Sequence, residues 1–308
     1  MIPGGKVETG PSDGGPVSPT SRDRERPPAL LLAEGEVLRR PNGERYLPRD
    51  VGGHHDVAAL RAFAAAGLFA LLAGEPGSGK TALAEAAFPD LVAVQCHGDM
   101  TVAHLVGTHL PTEAGGWRWA DGPLTEAARR GVPLYLDEVN LMPTDVSGVL
   151  HAAMDGRGLV RIDDRPDLPP VIAGDGFYVI GSYNPDSLGG RRLSEALLSR
   201  FTVQIEVTTD YDAARSLGVP EELVTIAENL FVKSESDRRE GGRGIWRPQM
   251  RELLAARQLV RAGLGLEFAA AAMASQCPWP EDLPLVLAVS EHVIGTPIEP
   301  LHLGPQAW

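Results

Sequence analysis

Cysteine is scarce in this chain: Cys96 and Cys277 are its 2 thiols, and they lie far apart in sequence. That excludes a disulfide framework and a paired-cysteine metal site, and leaves both as structural thiols. Long apolar runs are also missing. No stretch reaches the ~18 uninterrupted apolar residues of a membrane-spanning helix. Yet 43% of the residues are hydrophobic and 22% charged, so a sizeable core and no transmembrane segment are expected. The opening residues, Met1-Ile2-Pro3-Gly4-Gly5-Lys6, lack the basic segment and apolar run of a secretory signal, which makes the cytoplasm the expected location. Positive charge is the third shortage. With 28 Lys and Arg against 41 Asp and Glu the formal net charge is −13, which disfavours general attraction to phosphate backbones and demotes nucleic acid as a partner.

At 308 residues the chain has room for one large α/β domain and a smaller companion. Residues 1–28 are rich in Pro and Gly and end in the mixed-charge run Arg22 to Arg26, so they cannot bury enough surface to offset their ordering entropy and are expected to be disordered. Residues 29–50 carry short apolar pieces broken by Pro41-Asn42-Gly43 and read as a lead-in strand and turn. Helical spacing of Val57, Leu60, Ala64 and Leu68 passes into the apolar run Leu68 to Ala73, the first buried strand of a parallel sheet. Further strands are expected at Leu91 to Gln95, Val132 to Leu136, Phe177 to Ile180 and Thr202 to Val207, with helices between most of them, such as Leu124 to Arg130 and Asp145 to Met154. This alternation predicts an α/β fold, a doubly wound parallel sheet, over residues 51–209. Residues 210–308 read as helices only, among them Glu221 to Phe231 and Arg247 to Ala262, separated by a polar loop from Ser234 to Gly244.

Gly74-Glu75-Pro76-Gly77-Ser78-Gly79-Lys80-Thr81 matches G-x-x-x-x-G-K-[ST] between a predicted strand and a predicted helix, the two contexts that a P-loop requires. Its glycines let backbone N–H groups converge on phosphate oxygens at a helix N-terminus. Lys80 is then placed to reach the β- and γ-phosphates of ATP, and the Thr81 hydroxyl to ligate Mg²⁺. Downstream, the apolar run Val132 to Leu136 delivers Asp137 and Glu138 at a strand's C-terminal end, a Walker B arrangement. Asp137 is the expected Mg²⁺ residue, and Glu138 the base that orients and deprotonates the attacking water. Asn184, which follows the strand Phe177 to Ile180, is expected near the γ-phosphate and that water. As an Asn before Pro it is also a routine turn starter. His54 and His55 beside Asp56 point in different directions with no third ligand placed, and His97, His104 and His109 have no matching Cys or carboxylate spacing, so none is assigned a metal.

From about Val51 to the helix after Arg251 these motifs resemble the AAA+ superfamily, and within it the MoxR-type ATPases with the CbbQ, NirQ and NorQ group. The resemblance rests also on Gln95 to Thr101 leading to Leu105-Val106-Gly107, on Trp119 to Leu124, on Gly181 to Pro185 and on Leu193 to Phe201. It implies a homo-oligomeric ring, a hexamer, with ATP between subunits and Arg200 as the arginine finger for the next subunit's γ-phosphate; Arg191 and Arg192 are alternatives. It implies that residues 210–308 form a lid whose Arg251 reaches the nucleotide, although Gln249 and Met250 depart from the usual small polar residues there and Arg247 is also near. Val51 and Gly52 would lie beside the adenine. Thr108 to Ala120 would form a hairpin pointing into the ring, with Trp117 and Trp119 on one face either packing that hairpin or gripping substrate. The implied activity is ATP-driven remodelling or activation of a client protein, often with a von Willebrand factor A-domain partner. A nucleic-acid motor and a nucleotide-gated scaffold with little turnover are the competing readings. The charge of −13 weighs against the first, and Glu138 and Arg200 against the second.

Overall fold

The computed structural model describes residues 36–185, 190 and 192–303. The expected disordered tail, the first part of the lead-in and Arg191 lie outside the described residues. The rest of the lead-in carries the turn at Pro41-Asn42-Gly43, closed by Tyr46 N–H donating to Leu38 O at 2.9 Å. It runs into a small hairpin of β1 (Asp50–Val51) and β2 (His54–His55), after which α1 (Asp56–Ala65) packs on the main sheet.

That sheet is built from β3 (Ala70–Ala73), followed by α2 (Lys80–Ala87) and β4 (Val92–Gln95). Then α3 (Val102–Val106) leads into an antiparallel hairpin, β5 (Gly107–Pro111) with β6 (Trp117–Asp121). Next come α4 (Pro123–Arg130) and β7 (Pro133–Asp137). Pro at the first position of α4 and Gly131 at its end, with φ 63°, supply the usual start and stop of a helix. After α5 (Thr144–Ala153) a third hairpin joins β8 (Leu159–Val160) and β9 (Val171–Ile172), and β10 (Tyr178–Tyr183), α6 (Glu195–Leu198) and β11 (Val203–Glu206) complete the layer. The strand order is β11-β3-β10-β7-β4, with every pair parallel. The fold is thus the expected α/β parallel sheet.

Burial explains why the strands differ in composition. β3, β7 and β10 lie inside the sheet and are almost wholly buried, so they read as continuous apolar runs. The edge strands β4 and β11 alternate half-buried with exposed. Side chains alternate between the two faces. Leu71, Leu134, Leu136 and Val179 join the cluster that holds α3, α4 and α5. Ala70, Leu72, Tyr135, Tyr178 and Ile180 face the opposite cluster with Leu60 of α1 and Leu83 of α2.

Beyond the sheet, α7 (Tyr211–Ser216), α8 (Glu221–Arg239), α9 (Met250–Arg261), α10 (Leu266–Ala274) and α11 (Leu283–Ile294) enclose a separate core that includes Leu223, Ile226, Leu230, Leu253 and Val286. Three expectations need correction. The polar loop Ser234 to Gly244 is helical as far as Arg239, because fully buried Ser234 accepts from Ile245 N–H and Arg247, and because Arg238 and Arg239 suit the negative end of the helix. The helix expected from Arg247 begins at Met250, since Pro248 pushes the residue before it out of helical geometry. The strand expected at Phe177 to Ile180 continues to Tyr183, because Ser182 and Tyr183 pair with Leu72 and Ala73.

Gly181 sits at the tightest point of this packing. A Cβ there would lie 2.8 Å from Phe201 Cζ and 3.0 Å from Leu71 Cδ1, both side chains being buried. Gly181→Ala is expected to lower stability by ~1–3 kcal/mol, the usual range for overpacking a core, as measured by chemical denaturation.

Candidate functional site

β3 ends at Ala73, and the loop from Gly74 to Gly79 turns the chain into α2. Two of its glycines are dictated by geometry. A Cβ on Gly74 would lie 2.2 Å from Val207 O, and Gly79 takes the left-handed conformation, φ 99°, as it caps α2. Lys80 is buried, and its ammonium donates to Gly74 O at 2.7 Å and Glu75 O at 3.0 Å. Burial pulls its pKa below the ordinary lysine value, and the opposing pull of the Asp137 carboxylate is smaller.

The two carboxylates leave β7 in different directions. Asp137 Oδ1 accepts from Ser182 Oγ, from Tyr135 OH at 3.2 Å and from Glu138 N–H at 3.2 Å. Tyr135 OH also lies 3.1 Å from Thr81 Oγ1, which ties the start of α2 to the strand beneath it. Burial first, and then the Asp137 carboxylate, hold this phenol well above its usual pKa, so it stays protonated. Glu138 has φ 53°, and among the described residues it is the single non-glycine with positive φ. An L-residue in this region is strained by roughly 1–2 kcal/mol, and the conformation swings its carboxylate out to accept from Gln95 Nε2 at 2.9 Å.

Pro76, Gly77, Gly79, Lys80, Thr81, Asp137, Glu138, Asn184 and Arg251 together line one cleft of about 390 Å³. Arg251 comes from α9, and its N–H donates to Gly77 O at 3.3 Å. Arg247, the other arginine near the start of α9, is committed elsewhere: it is buried, lies 5.0 Å from the Phe231 ring centre and pairs with Glu75 at 3.1 Å. Glu75 turns away from the cleft and also holds Arg238 at 3.1 Å and Gln249 Nε2, clamping the loop to the helical region. Val51 lines a neighbouring cavity of about 400 Å³ with Arg49, Leu83, Thr208 and Tyr211, whereas Gly52 is not among the residues lining it. Arg200 is outside the cleft, its guanidinium donating to His151 O at 3.3 Å and to Ala196 O. Arg192 lines a small depression with Asn140 and Ser194. On the β5–β6 hairpin Trp119 packs against the main core and donates to Asp121, while Trp117 is 71% exposed. His104 serves as a helix cap, its Nδ1 accepting from Thr101 N–H at 2.9 Å.

Several residues of the site carry no motif signal. Arg40 lines the cleft and pairs with Glu85 at 2.7 Å. Arg49 bonds Asp56 at 3.2 Å and, through one guanidinium nitrogen, Ser78 O and Thr208 O at 3.0 Å each, pinning the loop from below. Tyr135 stood in an apolar strand run and Ser182 just past one, in the segment Gly181 to Pro185 where Asn184 was the residue singled out, so only a buried hydroxyl hints at a polar task for either.

Comparison with known proteins gives this geometry its context. Residues 70–201 match the model of the AAA domain (dynein-related subfamily). The chain is 40% identical over 144 residues to Protein NorQ of Paracoccus denitrificans, covering 46% of this chain and 51% of that protein. It is also 40% identical over 123 residues to the denitrification regulatory protein NirQ of Stutzerimonas stutzeri (39% and 44% covered). Over 119 residues it is 40% identical to Protein CbbQ of Hydrogenophilus thermoluteolus (37% and 43% covered). The middle of the chain is therefore similar to an AAA domain and to the NorQ, NirQ and CbbQ proteins. The matched AAA domain runs from β3 to the residue after Arg200 and so includes the loop, Asp137, Glu138 and Asn184, while Val51, Gly52 and Arg251 fall outside it. The chain spans about half the length of these relatives. Among the described residues no helix is long and apolar enough to cross a membrane.

Glu75→Ala would leave buried Arg247 without its carboxylate. The expected loss of stability is ~1–3 kcal/mol, less than the ~3–5 kcal/mol of a fully buried pair because Glu75 and Arg238 are partly exposed, and denaturant titration measures it.

Proposed function

We propose that this chain binds ATP with Mg²⁺ in the 390 Å³ cleft, hydrolyses it, and uses the energy, as a hexameric ring in the cytoplasm, to remodel or activate a client protein. The observation that carries the reading is the convergence of Lys80, Thr81, Asp137, Glu138, Asn184 and Arg251 on that one cleft. The donor set fits the ligand. The protein offers the cation only a hydroxyl and a carboxylate, all hard oxygen, as suits an ion that keeps waters and shares phosphate oxygens. The start of α2 offers backbone N–H groups, and Lys80 offers a buried cation that can leave the Gly74 and Glu75 carbonyls for phosphate oxygens.

A bound Mg²⁺ supplies charge neutralisation at the phosphate oxygens. The chain's own residues do the rest. Glu138, swung out by its left-handed backbone, takes the proton of the attacking water, and Asn184 at the end of β10 orients that water. Arg251 brings α9 to the phosphates, and the cavity beside Val51 takes the base. Arg200 stands outside its own subunit's cleft, as a finger for the neighbouring subunit must. By family analogy the client is reached with a partner carrying a von Willebrand factor A domain.

Glu138→Gln is expected to bind ATP with unchanged affinity and to hydrolyse it at least ~100-fold more slowly, because the substitution keeps the shape and removes only the base; a phosphate-release assay measures this.

Arg200→Ala is expected to bind ATP yet lose nearly all hydrolysis, since finger arginines contribute ~10³–10⁵ in rate. Lys80→Ala lacks the phosphate partner but still carries Arg200. Mixing the two inactive variants should therefore restore part of the activity. No recovery in mixtures shown by light scattering to be co-assembled, or full activity from a monomer, would refute the shared site.

A further inference from the structure

Four oxygens meet beneath the first turn of α2, behind the cleft. They belong to Thr81, Tyr135, Asp137 and Ser182, and alternation along the strands puts the last three on the sheet face that α2 covers. Tyr135 is 1% exposed and Ser182 0%, so water does not complete their hydrogen bonding. Ser182 Oγ lies within hydrogen-bond reach of Asp137 Oδ1, Tyr135 OH is 2.9 Å from Ser182 Oγ, and Thr81 Oγ1 is 3.1 Å from Tyr135 OH.

The carboxylate gives this set a direction. An ionised carboxylate only accepts, whereas each hydroxyl has one proton to donate. Ser182 gives its proton to Asp137. Its oxygen then receives the proton of Tyr135, whose nearer acceptor is Ser182 at 2.9 Å while Asp137 Oδ1 shares that proton at 3.2 Å, and the tyrosine oxygen, with its own proton engaged, receives that of Thr81. The result is that the Thr81 proton points back into the protein and its lone pairs forward, while Asp137 is held through Oδ1 with Oδ2 left for the cleft. With the order reversed, the Thr81 proton would face the cation.

We propose that Tyr135 and Ser182 are positioning residues for the divalent cation, forming a one-way relay of hydroxyl protons that turns the lone pairs of Thr81 and Asp137 toward it. The proposal rests on the reading of the cleft as a Mg²⁺–ATP site and assigns the hydroxyls of two strand residues a task within it. Both act through Thr81 and Asp137 and touch neither nucleotide nor cation.

The test uses the full chain and the variants Tyr135→Phe and Ser182→Ala, which remove one hydroxyl each at different links. Two quantities are read: affinity for a fluorescent ATP analogue in EDTA, and affinity of the chain–ATP complex for Mn²⁺ by electron paramagnetic resonance. The expected result is metal-free nucleotide affinity within about twofold of the parent and Mn²⁺ affinity about tenfold weaker in both variants, the lower end of what groups supporting metal ligands contribute. Unchanged Mn²⁺ affinity in both variants would overturn the relay while leaving the cleft reading intact. Equal losses in both quantities would assign the hydroxyls a packing role and overturn it as well. If the parent chain takes up no nucleotide, the cleft reading falls, and the relay with it.

Discussion

The hydrogen bonds that seat β10 between β3 and β7 are the constraint on which the candidate site depends. In chain order β10 comes after both, so its insertion draws the ends of three strands together although 100 or more residues separate the P-loop from Asn184. The loop after β3, the carboxylates after β7 and Asn184 after β10 then open on the same side, where ligands of open parallel sheets bind. Ser182 reaches Asp137 for the same reason: Ser182 and Asp137 lie near the ends of adjacent strands, on the face that α2 covers.

The P-loop is gripped from below and from the side. Arg49 reaches Ser78 O from the lead-in, and Glu75 reaches Arg238, Arg247 and Gln249 in the helical region. These contacts tie the glycine-rich loop to the α9 start, where Arg251 enters the cleft, so the loop and Arg251 share a frame. The strain at Glu138 belongs to the same economy of position. A left-handed glutamate is maintained only where its surroundings hold it, and here the buried turn from Val139 to Leu141, with Leu141 N–H donating to Glu138 O at 2.9 Å, holds it.

Much of the site was legible because it is local. A glycine-rich turn between a buried strand and a helix, and two acids at a strand end, are patterns of eight residues or fewer whose geometry is decided by backbone freedom and strand period. Helix ends were less legible. Ser234 looked like loop because its partners, Ile245 and Arg247, return from beyond the helix, and a hydroxyl satisfied in this way no longer competes with the helix.

The sequence by itself determined the parallel α/β architecture, the glycine-rich turn before α2 and the two carboxylates at the end of β7, since each follows from short-range sterics and periodicity. Only the tertiary structure decided that Arg251 and not Arg247 lines the cleft, that Glu75 turns to the helical region across 174 positions, and that Tyr135 joins Thr81 to Ser182 across 54 and 47. Such contacts join side chains whose neighbours in sequence carry no trace of them. They are selected when burial leaves a polar atom no water and obliges it to find a partner wherever the packing brings one.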